Sequence, residues 1–75
     1  MFTLYTKDNC SLCDKAKNLL RSMGIPFETY KLGEDITREQ LLAKVPTART
    51  MPQVFKDGQS IGGYTELQQM LAVAA

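Results

Sequence analysis

The period of the apolar positions changes several times along the chain, and each change marks an element. Phe2, Leu4 and Tyr5-Thr6 are β-favouring and predict a short strand. Lys7-Asp8-Asn9 reads as a loop. Leu12, Ala16, Leu19, Leu20 and Met23 recur at helical spacing and predict a helix with one apolar face. Asn9 is its expected N-cap, which would put Cys10 in the first turn. Gly24 and Pro26 stop that helix. Phe27 to Leu32 alternates apolar with polar residues and predicts a second strand, closed by the turn Gly33-Glu34-Asp35.

Thr37-Arg38-Glu39-Gln40 fits a capping box, and Ile36 with Leu41 fits the hydrophobic staple around it. A second helix therefore starts here and ends near Lys44-Val45-Pro46. After a loop to Pro52, Gln53-Val54-Phe55-Lys56 and Gln59-Ser60-Ile61 flank Asp57-Gly58, a strong hairpin signal. Gly62-Gly63 breaks the strand. Thr65 is the expected cap of a last helix whose apolar face is Leu67, Met70, Leu71 and Ala74. Ala72-Val73-Ala74-Ala75 reads as a fraying end. The order is βαβαββα. Strand, helix, strand gives a parallel pair by a right-handed crossover, and the hairpin gives an antiparallel pair. The expected α/β fold is a four-stranded mixed sheet flanked by three helices.

The 75 residues allow one domain, taken as 1–75. Nine basic and eight acidic residues leave a net charge of +1, which gives no reason to expect nucleic acid or an anionic membrane as partner. No apolar run approaches the roughly 18 residues of a membrane span, and the first five residues lack the layout of a signal peptide. A soluble cytoplasmic protein is expected.

Cys10 and Cys13 are the only cysteines, and there is no histidine. Two ligands fall short of the four that a structural zinc site normally takes, so no metal is expected. In the cytoplasm stable disulfides are rare, and a cysteine pair suits exchange better than bracing. A Cys-x-x-Cys beside a βαβ unit reads as a thioredoxin-like redox motif. Thiolate is the attacking species, and a helix N-terminus favours it through free amides and the dipole. Cys10 lies where that help is strongest, with Lys7 adding positive charge. Cys13 lies one turn in, towards the core. Cys10 is the expected nucleophile and Cys13 the resolving thiol.

Three blocks resemble the glutaredoxins, and the likeness runs from Phe2 to about Leu71. Lys7 to Cys13 resembles the active-site loop of that family. Arg49-Thr50-Met51-Pro52-Gln53-Val54-Phe55 resembles the segment with its cis-proline. Ile61-Gly62-Gly63-Tyr64-Thr65-Glu66-Leu67 resembles its glutathione-binding turn and helix. The resemblance implies glutathione as reducing co-substrate, bound by Lys7, Leu12, Arg38, Thr50, Met51, Pro52, Gly63, Tyr64, Thr65 and Glu66. Lys7 and Arg38 would face the glycine carboxylate. The Met51 backbone would pair with the cysteinyl part as an added strand does. Pro52 in cis would hold that backbone towards the cysteines. Gly63, Tyr64, Thr65 and Glu66 would hold the γ-glutamyl end, at a helix N-terminus suited to a carboxylate. Arg49 reads as surface or rim, and Tyr5, Phe27, Tyr30 and Phe55 as core or strand-face residues.

The chain departs from that family's pattern in places. Ser11-Leu12 stands where Pro-Tyr is usual, Glu66 where aspartate is commoner, and Met51 where valine is commoner. Leu12 removes a phenol from the groove rim, which points to weaker glutathione binding. The expected partners of this monomer are glutathione and disulfide-containing or glutathionylated proteins, ribonucleotide reductase among them. Two alternatives stay open. One is a redoxin that draws electrons from thioredoxin reductase; the other is a module carrying an iron–sulfur cluster between two chains.

Overall fold

The computed structural model describes residues 1–74, with side chains as far as Ala72. Ala75 and the side chains of Val73 and Ala74, part of the expected fraying end and apolar face, lie outside the described residues. The elements are β1 (Phe2–Thr6), α1 (Ser11–Ser22), β2 (Phe27–Lys31), α2 (Arg38–Lys44), β3 (Gln53–Lys56), β4 (Gln59–Gly62) and α3 (Tyr64–Ala74). This is the βαβαββα order that the apolar pattern predicts. The sheet order is β2-β1-β3-β4. β1 pairs parallel with β2 and antiparallel with β3, and β3 pairs antiparallel with β4.

Alternation along β1 sends side chains to two cores. Phe2 and Leu4 join Ala16, Leu20, Val54, Leu67 and Leu71, which places α1 and α3 against one face. Tyr5 joins Cys13, Ile36, Leu41 and Met51 towards α2. Leu4, Leu20, Val54 and Leu67 are completely buried. At about 1.5–3 kcal/mol for each such side chain, the first cluster is the principal anchor of the fold.

α2 has seven residues and buries only Leu41. So short a helix is unstable alone, and its ends compensate. The Thr37 Oγ1 accepts from the Gln40 amide at 3.1 Å, and Gln40 Oε1 accepts from the Thr37 amide at 2.9 Å. The hairpin is equally local: Asp57 and Gly58 both take positive φ, 51° and 84°, as a two-residue turn of the primed kind requires.

Some expectations are corrected. Leu12 and Met23 are exposed, so the apolar face of α1 is narrower than the spacing suggests. β2 does not alternate; its central three residues are all exposed because it is an edge strand. Tyr30 stands out of β2 and stacks on Tyr5 at 5.7 Å, and Phe55 meets Tyr5 edge-on at 5.3 Å.

Candidate redox site

Strand register brings the three sequence blocks together. β1 runs straight into the loop 7–9 and the start of α1. Tyr5 pairs with Gln53, so the residues just before β3 lie beside that loop. Val54 pairs with Gly62, so the end of β4 and the start of α3 follow next in line. A Cβ on Gly63 would sit 3.4 Å from the Pro52 carbonyl oxygen.

Asn9 adopts φ 53°, a left-handed conformation that asparagine tolerates and an N-cap does not use. Cys10, at φ −119° and ψ 99°, is therefore the N-cap of α1, in place of Asn9. Its Sγ accepts from the Cys13 amide at 3.1 Å. The cap atom of the helix is thus the sulfur itself, and negative charge there meets an N–H donor and the positive end of the helix. The Met51 carbonyl oxygen lies 3.7 Å from the same Sγ, and a Cys10 thiol can donate to it. Cys10 and Cys13 form a disulfide in this structure. Cys10 is half-buried and Cys13 is only 1% exposed, among Tyr5, Ile36, Leu41 and Met51. Iodoacetamide added in limiting amount to the reduced protein should therefore alkylate Cys10 about tenfold or more faster than Cys13. Peptide mass mapping reads the ratio, and equal labelling would contradict the assigned asymmetry.

Two grooves open along the segment Arg49 to Met51, and one of them reaches Cys10. One, about 280 Å³, is lined by Lys7, Asn9, Cys10, Ser11, Leu12 and the segment Arg49 to Met51. The other, about 310 Å³, is lined by Lys7, Arg38 and Arg49 to Met51 over a floor that includes Leu41 and Leu42. They share Lys7, Arg49, Thr50 and Met51, so they form one trough. No aspartate or glutamate lines either part. Lys7, Thr50 and Met51 line both parts, with Cys10 and Leu12 in one and Arg38 in the other. Pro52 is buried behind them, and the Met51–Pro52 peptide is cis. Thr50 is fixed through its carbonyl, which accepts from Gln53 Nε2 at 2.7 Å.

The block Gly63 to Glu66 lies on the other side of Pro52 and does not line the trough. α3 begins at Tyr64, so Thr65 sits inside the first turn rather than at the cap. Capping comes from Glu66, whose Oε1 accepts from the Gly63 amide at 2.8 Å. Tyr64 is partly buried and packs against the first core. Arg49 is the lining residue that sequence reasoning left at the rim; its position next to Thr50-Met51-Pro52 was the available signal.

The loop 7–9 is tied down from the side. Lys31 Nζ pairs with Asp8 Oδ1 at 2.6 Å and with Glu34 Oε1 at 3.2 Å. The Asp8 hydrogen bond, then that to Glu34, holds the Lys31 ammonium above its usual pKa. Asp8 is thus paired with Lys31 and does not line the trough where Lys7 lies.

Comparison with known proteins matches this arrangement. The Glutaredoxin family model covers residues 2–61, which includes the first two blocks and ends before Gly62. Glutaredoxin 3 of Escherichia coli is 36% identical over 64 residues, covering 85% of this chain and 77% of that protein. A hybrid peroxiredoxin of Haemophilus influenzae is 41% identical over 70 residues, but the chain spans only 29% of its length. Among solved structures, reduced Escherichia coli glutaredoxin superposes with a TM-score of 0.83 at 28% identity, covering 99% of this chain and 98% of that one. A buckwheat glutaredoxin–glutathione complex superposes with a TM-score of 0.82 at 25% identity, covering 97% and 69%. The chain belongs to the glutaredoxin family, and its Cys10–Cys13 pair makes this domain a thiol–disulfide oxidoreductase.

Proposed function

We propose that the domain is a glutathione-dependent oxidoreductase that reduces glutathione mixed disulfides and protein disulfides. The observation that carries the reading is a half-buried Cys10 Sγ at an acid-free cationic trough, held by the Cys13 amide. The neighbouring fold that is a glutathione complex supports the choice of thiol.

With a glutathionylated protein, the Cys10 thiolate attacks the glutathione sulfur. The bond between glutathione and the protein cysteine breaks, and that cysteine leaves as a thiolate and takes a proton. A second glutathione thiolate then attacks the glutathione sulfur on Cys10, releasing oxidised glutathione and the Cys10 thiolate. With a protein disulfide, Cys10 forms the mixed disulfide and Cys13 displaces the substrate. The Cys10–Cys13 disulfide so formed is reduced by two glutathione molecules.

Lys7 and Arg38, with Arg49 in the same groove, would face the glycine carboxylate. The Met51 backbone would pair with the cysteinyl unit, Thr50 and Pro52 would shape that edge, and Leu12 would border it. Tyr64 and Thr65 would offer first-turn amides to the γ-glutamyl carboxylate, beside Gly63, whose own amide stays with Glu66. Glu66 keeps its second carboxylate oxygen for the ammonium. The proposal extends to a cytoplasmic monomer with proteins such as ribonucleotide reductase as substrates.

A coupled assay of a disulfide substrate tests it, with glutathione plus glutathione reductase in one arm and thioredoxin reductase in the other. Turnover is expected in the first. Turnover in the second arm alone would sink the reading.

A further inference from the structure

The trough carries more positive charge than glutathione can use. Glutathione brings one carboxylate at its glycine end. Three cations, Lys7, Arg38 and Arg49, line the trough, and none forms an ion pair among the described residues. Asp8, the acid nearest Lys7 in sequence, is held by Lys31 at 2.6 Å. Glu39, the acid next to Arg38, is not among the lining residues. The chain as a whole is only +1, so this is a local field, not a general one. A cleft of one sign raises the encounter rate of ligands of the other sign.

We infer that the trough is a recognition site for protein disulfides whose attacked cysteine is followed by acidic residues. The inference rests on the glutathione-dependent reading, because that pose sets the chain direction: the glycine end of glutathione lies on the Lys7 and Arg38 side. A protein segment paired in the same way along Met51 would run its C-terminal continuation over the cations. An extended chain advances about 3.3 Å per residue, so acids one to three positions after the cysteine run along the trough that Lys7, Arg49 and Arg38 line. The floor between the cations is apolar, with Leu41 and Leu42 among its residues. Carboxylates there are less screened than on open surface. The chemistry is that of the protein-disulfide route. The Cys10 thiolate bonds to the substrate sulfur, the substrate disulfide breaks, and Cys13 displaces the substrate as a dithiol while the Cys10–Cys13 disulfide forms. Two electrons pass from the enzyme dithiol to the substrate.

The test uses two cyclic disulfide peptides, identical except that three aspartates or three asparagines follow the second cysteine. Reduced domain is mixed with each, quenched in acid, and the Cys10–Cys13 disulfide is quantified by mass spectrometry. The aspartate peptide should react about tenfold faster at low salt. That ratio should fall towards one near 1 M salt, where the screening length is about 3 Å. The double variant R38Q/R49Q should also bring the ratio towards one. Equal rates for the two peptides with the parent domain, alongside retained reduction of a glutathione mixed disulfide, would overturn the inference and leave the glutathione reading standing. Failure to reduce any of these disulfides would overturn both.

Discussion

Cys10→Ser should reduce neither glutathione mixed disulfides nor protein disulfides above the uncatalysed background, whereas Cys13→Ser should lose only the second activity. The asymmetry follows from position. Cys10 Sγ caps α1, receives the Cys13 amide at 3.1 Å and opens on the trough. A serine there keeps the cap but supplies a hydroxyl that stays protonated at neutral pH in place of the attacking thiolate, so exchange stops. Cys13 is shut in by Tyr5, Ile36, Leu41 and Met51 and reaches Cys10 rather than substrate. The mixed-disulfide route needs a second glutathione, not Cys13, and should stay within roughly a factor of ten of the parent. A serine hydroxyl at this apolar site costs about 1–3 kcal/mol if it finds no partner. Cys13→Ala therefore serves as a second variant, with the folded fraction checked by circular dichroism. Total loss of deglutathionylation in a folded Cys13 variant would refute the single-cysteine route.

Most of the architecture was legible because the signals were local. The Thr37 to Gln40 capping box, the Asp57-Gly58 turn and the spacing of Ala16 and Leu20 each fix their element without help from distant residues. The misses share a different cause. Asn9 and Thr65 have the right side chains for caps, but the backbone decides. Asn9 turns left-handed, and α3 starts one residue before Thr65, so the caps pass to Cys10 and Glu66. Leu12 and Met23 fit the helical period yet lie at the two ends of α1, where they stay exposed, a matter of tertiary position. β2 reads as alternating, but as an edge strand it has little to bury against. In the site, the Cys10-x-x-Cys13 pair was visible as a motif. The meeting of Lys7 with Arg38 was expected through the family resemblance alone, and the part of Arg49 was missed, because both depend on α2 and the loop before β3 lining one groove.

Gly62→Ala should destabilise the domain by roughly 2–4 kcal/mol and weaken glutathione binding with it. Gly62 ends β4 at φ 115°, a region closed to side chains, and such strain costs about 1–3 kcal/mol. The added methyl would also meet Glu66, at 2.6 Å from Oε1 and 2.7 Å from Cγ. Glu66 must then swing away, and its carboxylate would release the Gly63 amide that it now holds at 2.8 Å. Losing such a cap adds about 0.5–2 kcal/mol. The same movement would displace the carboxylate proposed for the glutathione ammonium, so KM for glutathione should rise. Glu66→Gln separates the two effects. An amide oxygen can still accept from Gly63, so stability should change little, while the charge facing the ammonium is gone and KM should rise alone. Urea denaturation and glutathione titration on the two variants give the comparison. If Gly62→Ala unfolds at the parent midpoint, the close approach of Glu66 to Gly62 does not constrain the fold. If Glu66→Gln leaves KM unchanged, Glu66 serves α3 only as its cap.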